Sequence, residues 1–294
     1  MRRAALIYNP KSGRQRHSQV LDAILATLKK GGFEVEPVPS GFPGEATELA
    51  RVLARDGRVE AAFAFGGDGT AREVAAGLLG SPVALGVIPG GTANLLALAL
   101  GLPRDPVRAA AALCRTPVRS IDVGLAGDHP FLMMVSAGLD ATVLAALDVE
   151  LKWRFGQGAI AWQGLCEWWR YPYPELEVVA DGERRTATFA AVANIPYYAG
   201  SFHLAPGAKF DDGLLELVLF HGTGRAATVS FILDLFRSAH VRRRDVTVVQ
   251  VREALLGGPE GEPAQVDGDL CQERLPVQVR IAPEKLRILS ALNP

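Results

Sequence analysis

The N-terminal third of the chain alternates between short apolar runs and longer segments with the apolar spacing of helices, and this alternation restricts the fold more than any other feature. The apolar runs lie at residues 4–8, 61–65 and 85–88, and the run FEVEPV at 33–38 alternates apolar and polar residues. Helical spacing follows each run, at residues 20–30, 46–55, 71–79 and 93–100. Strands that alternate with helices in this way form a parallel sheet with helices on both faces. We therefore predict an α/β fold that begins with a doubly wound domain.

Beyond Asp122 the sequence changes to the two-residue alternation of half-buried antiparallel strands. The alternating runs are LEVVAD, TATFAAVANI, LLELVLF, VTVVQVREALL and LPVQVRI. Two helical insertions, near residues 140–170 and 225–240, interrupt them. We predict one domain at residues 1–122 and a β-rich, sandwich-like antiparallel domain at 123–294, with the active site in the cleft between them. A return of the last residues to the first domain is left open.

Composition excludes several classes of protein. A chain of 294 residues with 49% hydrophobic content can bury a large core, and its net charge of −1 creates no field that attracts nucleic acid. The three cysteines are widely spaced and form no CxxC pair, which favours a reducing compartment. The N-terminal apolar run is too short for a signal peptide, and no run is long enough to span a bilayer. We expect a cytoplasmic protein without a transmembrane segment.

Three glycine-rich loops follow the first, third and fourth predicted strands. Their sequences are NPKSG at 9–13, GGDGT at 66–70 and PGGTAN at 89–94. The carboxyl ends of parallel strands share one edge of the sheet, and glycine lets successive backbone N–H groups point at a bound group. A single loop of this kind is as often a simple turn as a phosphate site. Three loops at one edge favour phosphate.

The common fingerprints of other enzyme classes are absent. No GxxxxGK[ST], GxGxxG or GxSxG is present, which disfavours P-loop NTPases, ordinary dinucleotide enzymes and serine hydrolases. The five histidines lack the spacing of metal ligands, so we expect packing or surface roles for them.

The loop sequences resemble a known family. NPKSG, GGDGTAREVAAGL and GVIPGGTANLLALALGLP are similar to the three ordered signatures of the diacylglycerol kinase catalytic domain, shared more loosely with sphingosine and ceramide kinases. VANIPYYAGSFHLAPGAKFDDGLLELVLF resembles the family's segment between its domains, and AQVDGDL resembles its C-terminal DGE motif. The resemblance implies a kinase that uses ATP and Mg²⁺ to phosphorylate a lipid hydroxyl, diacylglycerol being the expected type of acceptor, while bound peripherally to a membrane.

The resemblance also implies roles for individual residues. Asp212 and the backbone carbonyls of Lys209 and Leu214 would bind Mg²⁺, and Asp68 and Asp269 would be catalytic. Phosphoryl transfer needs positioning, cations and a carboxylate at the attacking hydroxyl, which these residue types supply. The nucleotide would contact Asn9, Lys11, Ser12, Gly13, Ser40, Gly66, Gly67, Asp68, Gly69, Thr70, Glu73, Gly91, Thr92 and Asn94.

Three residues depart from the family pattern. Leu95 stands where many relatives have aspartate, Arg72 replaces an asparagine, and Asp269 replaces the catalytic glutamate. On residue chemistry alone, tight turns are the favoured explanation of the Asp-Gly pairs at 212–213 and 267–268.

All four tryptophans lie between residues 153 and 169, close to Phe155, Tyr171 and Tyr173. Aromatic residues of this kind suit a membrane interface, but Trp162 and Trp169 also have the spacing of a helix that faces the core. Both interpretations stay open. The basic run 242–244 is either a lipid contact or a solvated strand entrance.

Two other functions compete with a lipid kinase. An NAD kinase shares the GGDGT loop and a two-domain organisation, and a weakly catalytic nucleotide or lipid sensor would explain the substitutions at Leu95 and Asp269. The sequence does not identify the lipid, and a homodimer is left open.

Overall fold

The computed structural model describes residues 1–10, 17–146, 157–200 and 202–291. The chain divides into two compact units, of which the first comprises Met1–Val123 together with the chain from Ala282 onward. The second unit is Gly124–Ile281. Within the described residues, no helix has the length and apolar content needed to cross a bilayer.

The first unit is built on a six-stranded sheet with the strand order β2-β1-β3-β4-β20-β5. Neighbouring strands are parallel except for the last pair, in which β5 runs antiparallel to β20. The strands are β1 Arg2–Tyr8, β2 Phe33–Pro39, β3 Ala61–Gly66, β4 Ala84–Pro89, β5 Val118–Ile121 and β20 Leu286–Leu289. The four predicted strands are present. Two four-residue strands complete the sheet, and these are too short to show a period.

Among the described residues of the first unit, the helices between the strands are α1 His17–Lys30, α2 Glu45–Asp56, α3 Asp68–Leu78, α4 Leu95–Ala99 and α5 Pro106–Leu113. The prediction of a helix at 93–100 was too long. Asn94 has a φ of 52°, in the left-handed region, and the helix therefore begins only at Leu95. The third helix begins three residues earlier than predicted, at Asp68.

The second unit contains two six-stranded antiparallel sheets, which confirms the predicted β-rich fold. Their orders are β10-β9-β16-β19-β6-β7 and β15-β14-β11-β8-β17-β18, and β12 pairs with β13 separately. The strands are β6 Gly124–Ala126, β7 His129–Phe131, β8 Met134–Ala137, β9 Leu176–Ala180, β10 Glu183–Ala187, β11 Phe189–Ala193, β12 Tyr197–Tyr198, β13 Phe202–His203, β14 Leu215–Phe220, β15 Val246–Val251, β16 Glu253–Leu256, β17 Pro263–Val266, β18 Asp269–Arg274 and β19 Val277–Ile281. Apolar side chains of both six-stranded sheets form one core, with Val178 and Val279 from one and Val192 and Leu217 from the other.

The alternating run VTVVQVREALL forms two strands, β15 and β16, in different sheets. The first strand ends before Arg252 and the second begins after it. The Asp181 carboxylate accepts hydrogen bonds there from the backbone N–H groups of Arg252 and Glu253, both at 3.1 Å. Asp181 lies 71 residues away from Arg252 in sequence, so local periodicity carries no trace of this break.

The helical insertions of the second unit are α6 Leu139–Ala145, α7 Gln157–Arg170 and α8 Gly224–Phe236. A 3₁₀ turn at His240–Arg242 follows α8. Residues 147–156 of the first predicted insertion, including Trp153 and Phe155, lie outside the described residues.

Helices α2 and α3 pack with almost no space between their backbones at Gly77. A Cβ atom at Gly77 would lie 2.4 Å from the carbonyl oxygen of Thr47 and 2.6 Å from the Cβ of Ala50. No side chain fits there, so the approach of these two helices depends on this glycine.

We expect Gly77→Ala to lower the free energy of unfolding by about 1–3 kcal/mol, because the added methyl group forces the two helices apart. Urea unfolding followed by circular dichroism measures the change. Gly164→Ala on α7 is the matched control, because a Cβ there meets nothing within 4 Å. The control should gain up to about 1 kcal/mol from helix propensity. Equal unfolding midpoints for the two variants would contradict the close packing.

Candidate functional site

The strand order of the first unit places a switch point between β1 and β3, because β2 lies on one side of β1 and β3 on the other. Ligands of open α/β sheets bind beyond the carboxyl ends of the strands at such a point. Asn9 follows β1 directly. Ser40 is 5% exposed at the end of β2, and its backbone N–H donates to the carbonyl of Tyr8 at 2.8 Å. Lys11, Ser12 and Gly13 lie outside the described residues.

The loops after β3 and β4 run in backbone contact with each other. The Gly90 N–H donates to the Gly66 carbonyl at 2.7 Å. A Cβ at Gly91 would lie 2.6 Å from the Cα of Gly67. A side chain at position 91 would therefore separate the two loops, which gives a physical reason for glycine at this position.

Asp68 joins the same two loops through its carboxylate. It is the first residue of α3, and its Oδ2 and Oδ1 atoms accept hydrogen bonds from the backbone N–H groups of Leu95 at 3.1 Å and Leu96 at 3.0 Å. Burial raises the pKa of the Asp68 carboxyl, and the N–H donors at 94–96 oppose that shift. Each carboxylate oxygen retains a second lone pair that can face a water or a cation.

Asn94 holds the turn after β4 in shape. Its Oδ1 accepts from the Gly91 N–H at 2.9 Å, and its Nδ2 donates to the Gly91 carbonyl at 2.8 Å. The side-chain amide is therefore engaged with its own loop, and Thr92 is exposed between the two bonded residues. Leu95, the residue at the position where the family pattern has aspartate, is buried at the start of α4.

The remaining predicted nucleotide residues lie on α3. Gly69 and Thr70 lie in the first turn of α3. The Thr70 side chain packs against Gly66, where an added Cβ would lie 2.5 Å from Thr70 Oγ1. Glu73 is half-buried farther along the helix, and its backbone carbonyl accepts a hydrogen bond from Thr47 Oγ1 at 3.0 Å. Backbone N–H groups at a helix N-terminus are suited to phosphate.

The predicted Mg²⁺ loop lies in the second unit. Asp212 is exposed, and its Oδ1 accepts from the Leu214 N–H at 3.0 Å. Glu216, two residues farther along β14, was not predicted as a site residue. Burial raises the pKa of the Glu216 carboxyl, the backbone N–H groups of Gly207 and Ala208 oppose that shift, and the Asp212 charge adds to it.

These oxygens fit a hard cation, because a positive ion offsets adjacent carboxylates and takes carbonyl oxygens as further ligands. Asp212 would contribute its carboxylate, and Lys209 and Leu214 their carbonyls. Across the described ranges, no group of three or more His, Cys, Asp or Glu side chains is arranged to hold a metal. Backbone carbonyls must therefore complete any such site.

Asp269 opens β18 as an exposed residue. The preceding Asp267 and Gly268 have φ values of 53° and 84°, as in a two-residue hairpin turn. The Asp267 carboxylate is buried and accepts from the backbone N–H groups of Leu132 at 2.9 Å, Met133 at 2.9 Å and Met134 at 3.0 Å. The pair 267–268 is thus a turn, and Asp267 anchors the hairpin that presents Asp269.

A chain of side-chain hydrogen bonds supports the same turn. The Gly268 N–H donates to Gln265 Oε1 at 2.8 Å, and Gln265 Nε2 donates to Ser136 Oγ at 2.8 Å. Ser136 Oγ donates to Asp140 Oδ2 at 2.5 Å, and the Tyr198 hydroxyl donates to the same oxygen at 3.1 Å. Burial raises the pKa of Asp140 above its ordinary value. Sequence reasoning missed this network. The available signals were an aspartate within an apolar segment and a glutamine within the short strand PAQV.

The tryptophan helix does not face the core as a whole. Trp162 is 61% exposed and Trp169 is 60% exposed, so the core-facing interpretation is wrong for both. Trp168 is half-buried and donates from Nε1 to the carbonyl of Arg225 at 3.3 Å. Tyr171 is buried, and its hydroxyl donates to Glu262 Oε1 at 2.9 Å.

Comparisons with known proteins match both units. A model described as "Diacylglycerol kinase catalytic domain" matches residues 3–126, and one described as "YegS C-terminal NAD kinase beta sandwich-like domain" matches residues 133–290. A Chromohalobacter salexigens protein named "Probable lipid kinase YegS-like" is 32% identical over 90% of this chain and 86% of its own length. A Bacillus subtilis protein named "Diacylglycerol kinase" is 28% identical over 92% of this chain and 90% of its own.

Among solved structures, a Bacillus anthracis str. Sterne protein described as "a putative diacylglycerol kinase" superposes with a TM-score of 0.83 at 25% identity. The match covers 99% of this chain and 95% of that protein.

We expect Asp267→Asn to lower the free energy of unfolding of the second unit by about 1–3 kcal/mol, because the amide NH₂ would face a buried backbone N–H that then lacks an acceptor. Urea unfolding followed by tryptophan fluorescence reports on this unit, since all four tryptophans lie within it. Asp128→Asn is the control, because the Asp128 side chain is 100% exposed. A shift no larger than that of the control would remove the anchoring role.

Proposed function

Because the chain belongs to the family of diacylglycerol kinases and YegS-like lipid kinases, we propose that it transfers the γ-phosphoryl group of ATP, with Mg²⁺, to the hydroxyl of a diacylglycerol-like lipid. One observation carries the proposal most directly. The two glycine-rich loops at the sheet edge are held in backbone contact and joined by the Asp68 carboxylate. Such an arrangement suits a polyphosphate, which needs backbone donors without intervening side chains.

In this proposal the triphosphate lies against the backbone of the loops at Gly67 and Gly91, and the first turn of α3 supplies N–H groups and a favourable helix dipole. The start of α4 is less available, since Asp68 already accepts the N–H groups of Leu95 and Leu96. Asn9 and Ser40 border the neighbouring strand ends and suit the nucleoside side of the ligand. The other residues keep the nucleotide-contact or loop-shaping roles that the family resemblance implies. They are Lys11, Ser12, Gly13, Thr70, Glu73, Thr92 and Asn94.

Asp269 is assigned as the general base. Its carboxylate would take the proton from the lipid hydroxyl while the hydroxyl oxygen bonds to the γ-phosphorus and the bond to the β-phosphate oxygen breaks, releasing ADP. The buried Asp267 holds the turn and so fixes where Asp269 begins. When bound, Mg²⁺ offsets negative charge on nearby oxygens. In the second unit, Asp212 and the carbonyls of Lys209 and Leu214 would hold it.

The reaction is tested with radiolabelled ATP, Mg²⁺ and a panel of acceptors in mixed micelles: diacylglycerol, ceramide, sphingosine and, without micelles, NAD. We expect labelled phosphatidic acid as the main product. Labelled NADP would establish the NAD kinase alternative. ATP binding without any phosphorylated product would establish a sensor and contradict the proposed transfer.

We expect Asp68→Asn to reduce phosphotransfer on the order of 10²-fold or more, because the amide NH₂ replaces one of the two accepting oxygens and a displacement of about 1 Å in a phosphate loop has that effect. Steady-state rates at saturating ATP and lipid measure the loss. Asp22→Asn, at an exposed position on α1, serves as the control. Parent-level turnover in Asp68→Asn would refute this role.

We expect Asp269→Ala to abolish nearly all transfer while ATP binding is kept, because the variant removes only the proton acceptor. Asp269→Glu should retain measurable activity, since it restores the family's residue and the same charge. Isothermal titration with ATP and the lipid kinase assay separate binding from transfer. If Asp269→Ala turned over as fast as the parent, Asp269 would be only a strand residue.

A further inference from the structure

Two helices of the second unit carry stripes of exposed apolar side chains. On α7 the stripe is Trp162, Leu165 and Trp169, which are 61%, 55% and 60% exposed. On α8 it is Val229, Ile232, Leu233 and Phe236, which are between 40% and 60% exposed. Residues spaced by three, four and seven positions share one face of a helix. Each helix therefore presents a coherent apolar stripe, in contrast to single scattered surface residues.

The two stripes meet at Arg225. Its guanidinium lies over the Trp169 ring, 4.1 Å from the centroid, and its Nε donates to the Trp169 carbonyl at 3.1 Å. Arg225 precedes Val229 by four positions and so lies on the stripe of α8, and Trp169 ends the stripe of α7. We call the combined set of Trp162, Leu165, Trp169, Val229, Ile232, Leu233 and Phe236 the apolar helix surface.

Helix α8 is apolar on both of its faces. Phe231 and Leu235 are 6% exposed and pack with Val218 and Phe220 of the adjacent sheet. The opposite face is the stripe; Phe236 meets the Phe202 ring edge-on with the ring centroids 4.4 Å apart, yet all four stripe side chains are 40–60% exposed. A helix that needs only one apolar face to pack on its sheet has no folding reason to carry a second one. The second face therefore indicates an external apolar partner.

Arginines lie next to both stripes along the chain, and we call them the cationic rim. Arg170 follows Trp169, Arg237 follows Phe236, and Arg242 and Arg244 lie after the end of α8; all four are exposed. Arg237 lies 3.9 Å from Asp234, and Arg243 is neutralised by Asp234 at 2.7 Å and Asp245 at 2.8 Å. Arginines beside tryptophan and phenylalanine match the boundary between anionic headgroups and acyl chains. A second copy of this chain would bring the same positive rim, whereas anionic lipid brings the opposite charge.

We propose that the apolar helix surface docks on anionic phospholipid bilayers, with its tryptophan, isoleucine and phenylalanine side chains at the acyl boundary and the rim arginines at the headgroup phosphates. This inference rests on the proposed function and adds to it the surface through which the protein would reach a membrane lipid.

The test is co-sedimentation with phosphatidylcholine vesicles with and without phosphatidylglycerol. Two stripe variants are compared with the parent: Trp162→Ser with Leu165→Ser, and Ile232→Ser with Phe236→Ser. Each should lower the partition coefficient on the order of tenfold, because two apolar side chains no longer enter the lipid. Val52→Ser with Leu255→Ser is the matched control, since these residues are 60% and 41% exposed and lie on α2 and β16. The control should bind like the parent.

The rim is tested separately with Arg242→Gln and Arg244→Gln together. Binding to anionic vesicles should fall about fivefold for each arginine removed, with little change on phosphatidylcholine alone. Parent protein that does not sediment, or stripe variants that bind like the parent, would overturn the proposal. A change from dimer to monomer in the stripe variants with unaltered vesicle binding would also overturn it, since the surface would then join two copies.

Phosphotransfer to a short-chain diacylglycerol below its aggregation concentration distinguishes docking from catalysis. The stripe variants should keep the parent's rate on this dispersed acceptor. If the parent phosphorylates no lipid but still sediments through the stripes, the proposed function fails and the docking surface stands. If the parent is active but its vesicle binding ignores the stripes, the docking surface fails and the kinase assignment stands.

Discussion

The candidate nucleotide site depends on the hydrogen bonds that the backbone N–H groups of Leu95 and Leu96 donate to the Asp68 carboxylate. They fix the start of α3 against the start of α4, next to the backbone contact between the loops at Gly67 and Gly91. Burying a carboxylate is costly, which is why the pKa of Asp68 is raised, and backbone donors at a helix terminus offset part of that cost. A charge placed for loop geometry is thereby available for phosphate chemistry.

The second unit uses the same device at Asp267. A buried carboxylate accepts three backbone N–H groups from 132–134 and holds a tight turn, and the exposed Asp269 follows it by two residues. In both units, then, one acid organises the backbone next to the residues assigned to chemistry. The buried Asp267 and the exposed Asp269 thus have separate roles. A group that must exchange a proton needs access to solvent or substrate, whereas a group that fixes a turn is better buried.

Surface composition in the second unit follows a different constraint. Helix α8 uses Phe231 and Leu235 to pack on its sheet, whereas the stripe at Val229, Ile232, Leu233 and Phe236 stays 40–60% exposed. Exposed apolar area is tolerated where a partner covers it. The exposed arginines that follow the stripes along the chain favour an anionic partner, in line with the proposed docking on anionic phospholipid.

The sequence by itself determined the four parallel strands, the change to antiparallel strands after Asp122 and the loops that carry the family motifs, because these are written in local periodicity and glycine placement. Features that depend on contacts between residues far apart in the sequence could not be predicted from it. Strand β20 enters the first sheet from the chain end, and Asp267 reaches back to 132–134. The exposure of Trp162 could not be read from its spacing, because a helical pattern defines a stripe but not what faces it. Only the tertiary structure decides that, since burial is a property of neighbours that sequence does not name.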